Sequence, residues 1–329
     1  MSAHPFRFTV TPEELNRSPG AQVALASRHS VKDIPGVKFE AAAALNQTVC
    51  RDLHGDLPLG MYHVPNGRIQ GPHGILFSED GKPLVEQNAG LLTQEDFLPA
   101  FMQACSECPA APASRTPRLL SLVSTCSGCF WHWMMDSLPK VFLAEKMGYT
   151  GSYLIPSPQL IPWALESLRL IRIDAARCVP LELASYSADI VMVPTYFSGF
   201  NISWNQEFIR GYRAWILSFM RESEHRASRV YIPRKPTAHA RRVVNHEEVE
   251  TVLKEFGFET IYFEDLSPPE QLSLAAHTDA VVAPHGSGLT HTLFMPERGC
   301  IVELFPHRRQ GACDCYERIA STVHHTYAA

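Results

Sequence analysis

The stretch DAVVAPHGSGLTHTLFMPERGCIVELFP, residues 279–306, concentrates groups that could do chemistry. An apolar run ends in Pro284-His285-Gly286-Ser287-Gly288. A pattern with helical spacing starts at once, through Leu289 and Thr290, and a second apolar run then carries one carboxylate, Glu303. Glycines at 286 and 288 let backbone N–H groups approach an anion closely, and the first turn of a helix presents unpaired donors at the positive end of its dipole. The pattern fits a phosphate-binding turn, or a tight strand-to-helix turn that binds nothing. It lacks the third glycine of the dinucleotide fingerprint, and no Walker-type loop occurs in the chain. No serine has glycine two residues away on both sides, which removes the nucleophile elbow of a hydrolase.

Two other groupings carry chemistry. His132 and Asp136, four apart in HWMMD, would share one face of an α-helix and could handle a proton, or could be a core-facing polar pair. Cys105-x-x-Cys108 and Cys126-x-x-Cys129 have the spacing of a four-thiolate zinc site. Against zinc, RLLSLVST between the pairs reads as a buried strand, whereas ribbon sites join two hairpin knuckles. The expectation is therefore a chain with no cofactor and with reduced cysteines. Nine cysteines, an odd count, suit a reducing compartment.

These groups are positioned by elements of two textures. Residues 22–98 read as a β-rich meander, with turn signals at Pro65-Asn66-Gly67, Gly71-Pro72 and Asp80-Gly81. From 117 to 220 strands alternate with helices: RLLSLVS, a helix over 130–147, SYLIP, WALESLRLI, DIVMVP and NQEFIRGYRAWILSFMR. The polar 221–228 reads as a linker. A second α/β series starts at RVYIP, passes the basic loop with Arg234, Arg241 and Arg242, and continues through a capping signature at Asn245 and Glu248. A helix opening at Ser267, Pro268 and Glu270 follows, and then the near-continuous apolar strand DAVVAP. The predicted boundaries are 1–220, a linker at 221–228, and a Rossmann-like domain over 229–329.

At 329 residues the chain has room for two domains of roughly 150 residues each. With 45% apolar and 19% charged residues it reads as an ordinary globular protein, and a formal charge of −5 argues against a nucleic-acid partner. No apolar run reaches the roughly 18 residues of a membrane span, and the first residues lack the organisation of a signal peptide. The expected compartment is the cytoplasm, which still permits peripheral membrane association.

The order RVYIPRK, RRVVN, Gly257-Phe258, HGSGLT and VELFP over residues 229–328 resembles the C-terminal signature of glycosyltransferase family 61. CFWHWMMDSLPKVFLAE is similar to the family's aromatic-His-Trp-x-x-Asp-x-Leu-Pro segment, with Lys140 where arginine is more usual. Ser287 and His291 also depart from the family's preferred alanine and asparagine. The resemblance implies a GT-B-like α/β architecture of two Rossmann-like domains facing a cleft. It further implies a nucleoside-diphosphate sugar, such as a UDP-sugar, bound by the C-terminal half, a glycan or glycolipid acceptor entering from the N-terminal half, and inversion at the anomeric carbon. The absence of Asp-x-Asp from the chain agrees with a reaction that needs no metal. On that reading Arg234, Arg241, Arg242, His285 and the turn Gly286–Thr290 hold the diphosphate. Glu303 binds the ribose hydroxyls, or else forms an internal salt bridge. Asp136 or His132 takes the acceptor's proton. The alternative is a non-catalytic sugar-nucleotide-binding or zinc-stabilised interaction protein.

Overall fold

A computed structural model of the chain describes residues 34–42, 49–52, 55–81, 84, 114–124, 126–182, 185–195, 205–220, 226–235, 243–305 and 314–329. Cys105, Cys108, Arg241, Arg242 and most of the expected linker lie outside the described residues. The protein is a mixed α/β chain whose contacts separate into two compact units. Among the described residues no helix is long and apolar enough to cross a membrane.

The first unit takes residues 1–128, 135–160 and 175–205. Its strands are β1 (Lys38–Ala41), β2 (Val49–Asp52), β3 (Gly55–Pro58), β4 (Gly60–Pro65), β5 (Arg68–Gln70), β6 (Ile75–Phe77), β7 (Arg115–Ser121), β8 (Ser152–Ile155), β9 (Cys178–Pro180) and β10 (Ser185–Pro194). One mixed sheet runs β1-β4-β10-β7-β8-β9, with β5 paired to β10 and to β6, while β2 and β3 pair separately. The strands from the α/β region, β7 to β10, pair in parallel, and β4 meets β1 and β10 antiparallel. The earlier short strands thus extend the same sheet. Tyr62, Val64, Ile69, Leu119, Leu154, Tyr186 and Val191 form its core.

A helical run crosses from one unit to the other in three pieces. It consists of α1 (Phe130–His132), a π turn (Trp133–Ser137) and α2 (Leu138–Lys146). Periodicity predicts one α-helix here. Pro139 explains the difference: it has no N–H to return to the carbonyl four residues earlier, and a widened turn before it absorbs the lost bond. The α-helical alignment of His132 with Asp136 does not carry through a π turn. His132 groups with the second unit and Asp136 with the first.

The second unit takes residues 129–134, 161–174 and 206–329. It adds α3 (Pro162–Leu170), α4 (Gln206–Leu217), β11 (Arg229–Tyr231), α5 (His246–Glu255), β12 (Glu259–Thr260), α6 (Pro268–Ala275), β13 (Ala280–Pro284), β14 (Cys300–Leu304), α7 (Cys315–Val323) and β15 (Thr326–Ala328). The sheet is parallel throughout, in the order β12-β11-β13-β14-β15. Ser267 and Glu270 form the capping box that opens α6. Asn245 caps α5 without a side-chain bond to the backbone, its amide donating instead to Glu248 at 3.2 Å. The final strand, β15, is short and polar, and no periodicity announces it.

Strand order decides where a ligand can sit. The chain leaves β11 for β12 on one side and returns through α6 to β13 on the other. The carboxyl ends of β11 and β13 therefore flank the point where the winding reverses, which is where open parallel sheets leave a crevice.

Candidate functional site

Arg234 lies just past the end of β11, and the glycine turn lies just past β13. The guanidinium Nη2 donates to the carbonyl of His285 at 3.2 Å. A Cβ built on Gly286 would collide with that guanidinium, so only glycine allows this close approach. At Gly288 a Cβ would come within 3.2 Å of the Ile232 side chain, a tight contact that Ile232 would have to relax by a few tenths of an ångström to admit.

After Gly286 the chain continues as a 3₁₀ helix, Ser287–Phe294, where sequence spacing predicts an α-helix. Side chains that bond three residues back favour the tighter winding: Thr292 Oγ1 donates to the Leu289 carbonyl at 2.7 Å, and His291 Nδ1 to that of Gly288 at 3.1 Å. Its last carbonyls are also held. Arg213 donates to Leu293 and Met295 at 2.8 and 2.7 Å, and His325 Nε2 to Thr292 at 2.9 Å.

A pocket of about 760 Å³ opens beside this turn, entirely within the second unit. Arg234, Lys235, Ser287 and Gly288 supply its polar rim, and Phe130, Trp163, Phe263 and His291 its aromatic wall. Lys235 is ion-paired with Asp265. The wall interlocks: the ring of His291 stacks on Phe130 at 4.8 Å and 18°, and meets Phe263 edge-on at 4.8 Å and 75°. Phe130 in turn touches Trp163 at 5.5 Å.

His291 is 2% exposed. Because a carbonyl can only accept, its bond to Gly288 puts the proton on Nδ1 and leaves a lone pair on Nε2. That Nε2 has no hydrogen-bond partner among the described residues. Burial pushes the ring down to about 4, against the opposing effect of the Gly288 carbonyl, so it is neutral at neutral pH. Sequence reasoning noted His291 only as a departure from a family pattern; its place in the pocket wall follows from the 3₁₀ winding.

Cys129 and the first residues of α1 pack around the turn. Cys129 Sγ lies 3.4 Å from Ser287 Oγ, Phe130 covers His291, and Trp131 meets Tyr316 edge-on at 5.1 Å. His132, next in the chain, is half-buried in the same unit. Asp136, by contrast, is buried in the first unit near the buried Lys140. Burial holds the Lys140 ammonium below its usual range while the charge of Asp136 opposes that shift.

The other expected site residues divide as follows. Leu289 and Thr290 are fully buried and do not line the pocket. Glu303 turns inward: its side chain has no exposed surface, Oε1 accepts from His285 Nδ1, and Oε2 accepts from the Tyr327 hydroxyl at 2.6 Å. Of the two readings open for it, this is the internal pairing, and both carboxylate oxygens are engaged within the protein. Of the four cysteines with zinc spacing only Cys126 and Cys129 are described, and no group of three or more metal-ligating side chains occurs among the described residues.

A family model described as Glycosyltransferase 61 matches residues 130–302, which takes in α1, the aromatic wall, Arg234, the glycine turn and most of β14. A 68-residue segment is 35% identical to the EGF domain-specific O-linked N-acetylglucosamine transferase of Drosophila melanogaster, covering 20% of this chain and 13% of that protein. A 67-residue segment is 37% identical to a beta-1,2-xylosyltransferase of Oryza sativa subsp. japonica, covering 20% of this chain and 14% of that protein. The matched segments thus span a small part of either relative.

Proposed function

The chain belongs to the glycosyltransferase 61 family, and from that premise we propose that it moves a sugar from a nucleoside-diphosphate sugar to a hydroxyl acceptor, with inversion and without a metal ion. The observation that carries this reading is the arrangement at the winding reversal of the parallel sheet. There a guanidinium, a glycine turn and the first N–H groups of a helix meet at the rim of an aromatic-walled pocket large enough for a nucleotide.

The chemistry follows from those groups. As the bond from the anomeric carbon to the diphosphate breaks, negative charge grows on the leaving oxygen. A cation and oriented backbone dipoles placed there stabilise that charge without reorganising. Arg234 and the turn at Ser287 and Gly288 supply them in this chain. The aromatic wall suits the planar base, which here is proposed to be uracil. The acceptor hydroxyl must lose a proton as it attacks, and we assign that proton to His132. A neutral imidazole is a competent base near neutral pH, whereas Asp136 is a buried carboxylate whose charge acts on the buried Lys140. A GT-B-like pairing of the two units, a glycan or glycolipid acceptor and a cytoplasmic, membrane-peripheral setting complete the proposal.

Incubation with a panel of nucleotide sugars, followed by assay of released nucleoside diphosphate, tests it. Slow donor hydrolysis with one sugar is the expected result. Binding of uridine diphosphate with no turnover of any donor would favour a non-catalytic sugar-nucleotide-binding protein.

A further inference from the structure

Glu303 is a carboxylate with no exposed side-chain surface, in the middle of an apolar strand. Removing such a charge from water is costly unless a cation and donors replace the solvent. Tyr327, from β15, donates to one oxygen, and the ring of His285 sits on the other. Among the described residues His285 is the basic group within ion-pair distance of Glu303. The ring is also gripped sideways, stacked on Phe305 at 5.1 Å and 25° and edge-on to Tyr316 at 5.5 Å and 65°. With Nδ1 committed to Glu303, Nε2 is the nitrogen left to a ligand, and the side chain keeps 16% exposure.

The same residue's carbonyl receives the Arg234 guanidinium. Two donors are therefore tied to one residue, directly before Gly286: the guanidinium through its main chain and the imidazole through its side chain. Against the ring lie Glu303, Phe305 and Tyr316, with Tyr327 on the far oxygen of Glu303 and Arg234 at the His285 carbonyl, so the only carboxylate among these is the one already paired.

We propose that Glu303 and Tyr327 are positioning residues that hold His285 as an imidazolium, with its Nε2–H presented to the diphosphate of the nucleotide. This deepens the nucleotide-sugar reading and rests on it. Each step is a hydrogen bond: Tyr327 O–H and His285 Nδ1–H to Glu303, and His285 Nε2–H to a phosphate oxygen. The ribose contact expected of Glu303 from sequence is replaced by an indirect one, exerted through His285.

Calorimetry on the full chain with uridine diphosphate, inorganic pyrophosphate and uridine is the test. His285→Gln and Glu303→Gln should each weaken both diphosphates by about tenfold or more, as loss of a charge-assisted contact does, with uridine unaffected. The double variant should lose no more than His285→Gln alone, because Glu303 acts through the ring. In parallel, ¹⁵N NMR of histidine-labelled protein should show the His285 ring protonated on both nitrogens, and Glu303→Gln should convert it to a neutral tautomer, a change that loss of packing alone would not produce. Unchanged pyrophosphate affinity in folded His285→Gln, or fully additive losses in the double variant, would overturn the proposal. Should Glu303→Gln fail to fold, Tyr327→Phe, expected to give a several-fold loss, carries the comparison. If wild-type protein binds no nucleoside diphosphate, the nucleotide reading fails. The NMR pattern of the unliganded ring then still decides whether Glu303 holds an imidazolium.

Discussion

The guanidinium of Arg234 fills the space that a side chain at Gly286 would need. The two residues come from the ends of neighbouring parallel strands, β11 and β13, and each constrains the other. A methyl group at 286 would push the flexible guanidinium away from the turn, and the φ of 157° there is one that residues with a side chain rarely adopt.

Arg234→Ala and Gly286→Ala are therefore expected to fail in the same way. Each should weaken uridine diphosphate by about tenfold or more, since one charge-assisted contact is worth roughly 1.5–3 kcal/mol. The double variant should be little worse than Gly286→Ala alone, which also strains the backbone of the turn. Calorimetry on folded variants checks this, and undiminished affinity in Arg234→Ala would remove the residue from the site.

His291 gives stability a pH dependence whose sign follows from its burial. Its folded-state value, about 4, lies below the ordinary histidine value, so the unfolded chain takes up more protons between the two. The stabilisation is full above roughly pH 6.5 and is lost as pH falls toward 4, by an amount on the order of 3 kcal/mol. His325 is also lowered by burial and contributes in the same direction. The informative quantity is thus the difference between wild type and His291→Asn: melting temperatures at pH 7.5 and 4.5 should differ less in the variant. Equal slopes would show that this ring is not held neutral by burial.

For the proton acceptor, His132→Ala should lower the turnover number by roughly 10²-fold while nucleotide affinity stays intact. Single-turnover kinetics with a saturating donor separate the two effects. If Asp136→Asn is inactive while His132→Ala turns over at the wild-type rate, the roles are reversed.

Asp136 and Lys140 make a stability prediction of their own. Asp136→Asn removes the charge that opposes the burial-driven shift of Lys140, and the variant is expected to melt at a lower temperature than wild type. Adding Lys140→Met should recover most of the loss. A double variant as unstable as the single one would mean that the two charges do not support each other.

Turnover should persist in excess chelator, because Arg234, His285 and the turn after Gly286 provide the neutralising groups. Activity that vanishes and returns with magnesium or manganese would refute this. Return with zinc alone would direct attention to Cys105, Cys108, Cys126 and Cys129.

Much of the second unit is legible in its sequence because the governing interactions are local. Apolar runs such as AVVAP, the Ser267 and Glu270 box and the two glycines report strand, helix start and turn within a few residues, and they place Arg234 and His285 at strand ends before any packing is known. The same locality hides other features. The π turn depends on how the bond lost at Pro139 is absorbed, and β15 owes its existence to the edge of β14.

By itself, then, the sequence determined the α/β alternation, the anion-suited turn and the identity of the groups around it. Tertiary structure decided what those groups face. A lone glutamate in an apolar strand has the same local signature whether it meets a ribose or a histidine, and only the docking of β13 and β15 on either side of β14 directs Glu303 to His285 and Tyr327. Likewise, Phe130 and His291 lie near opposite ends of the family match over residues 130–302 and share no periodicity. Their stacking is favourable because it removes two flat rings from water against each other, which no local pattern reports.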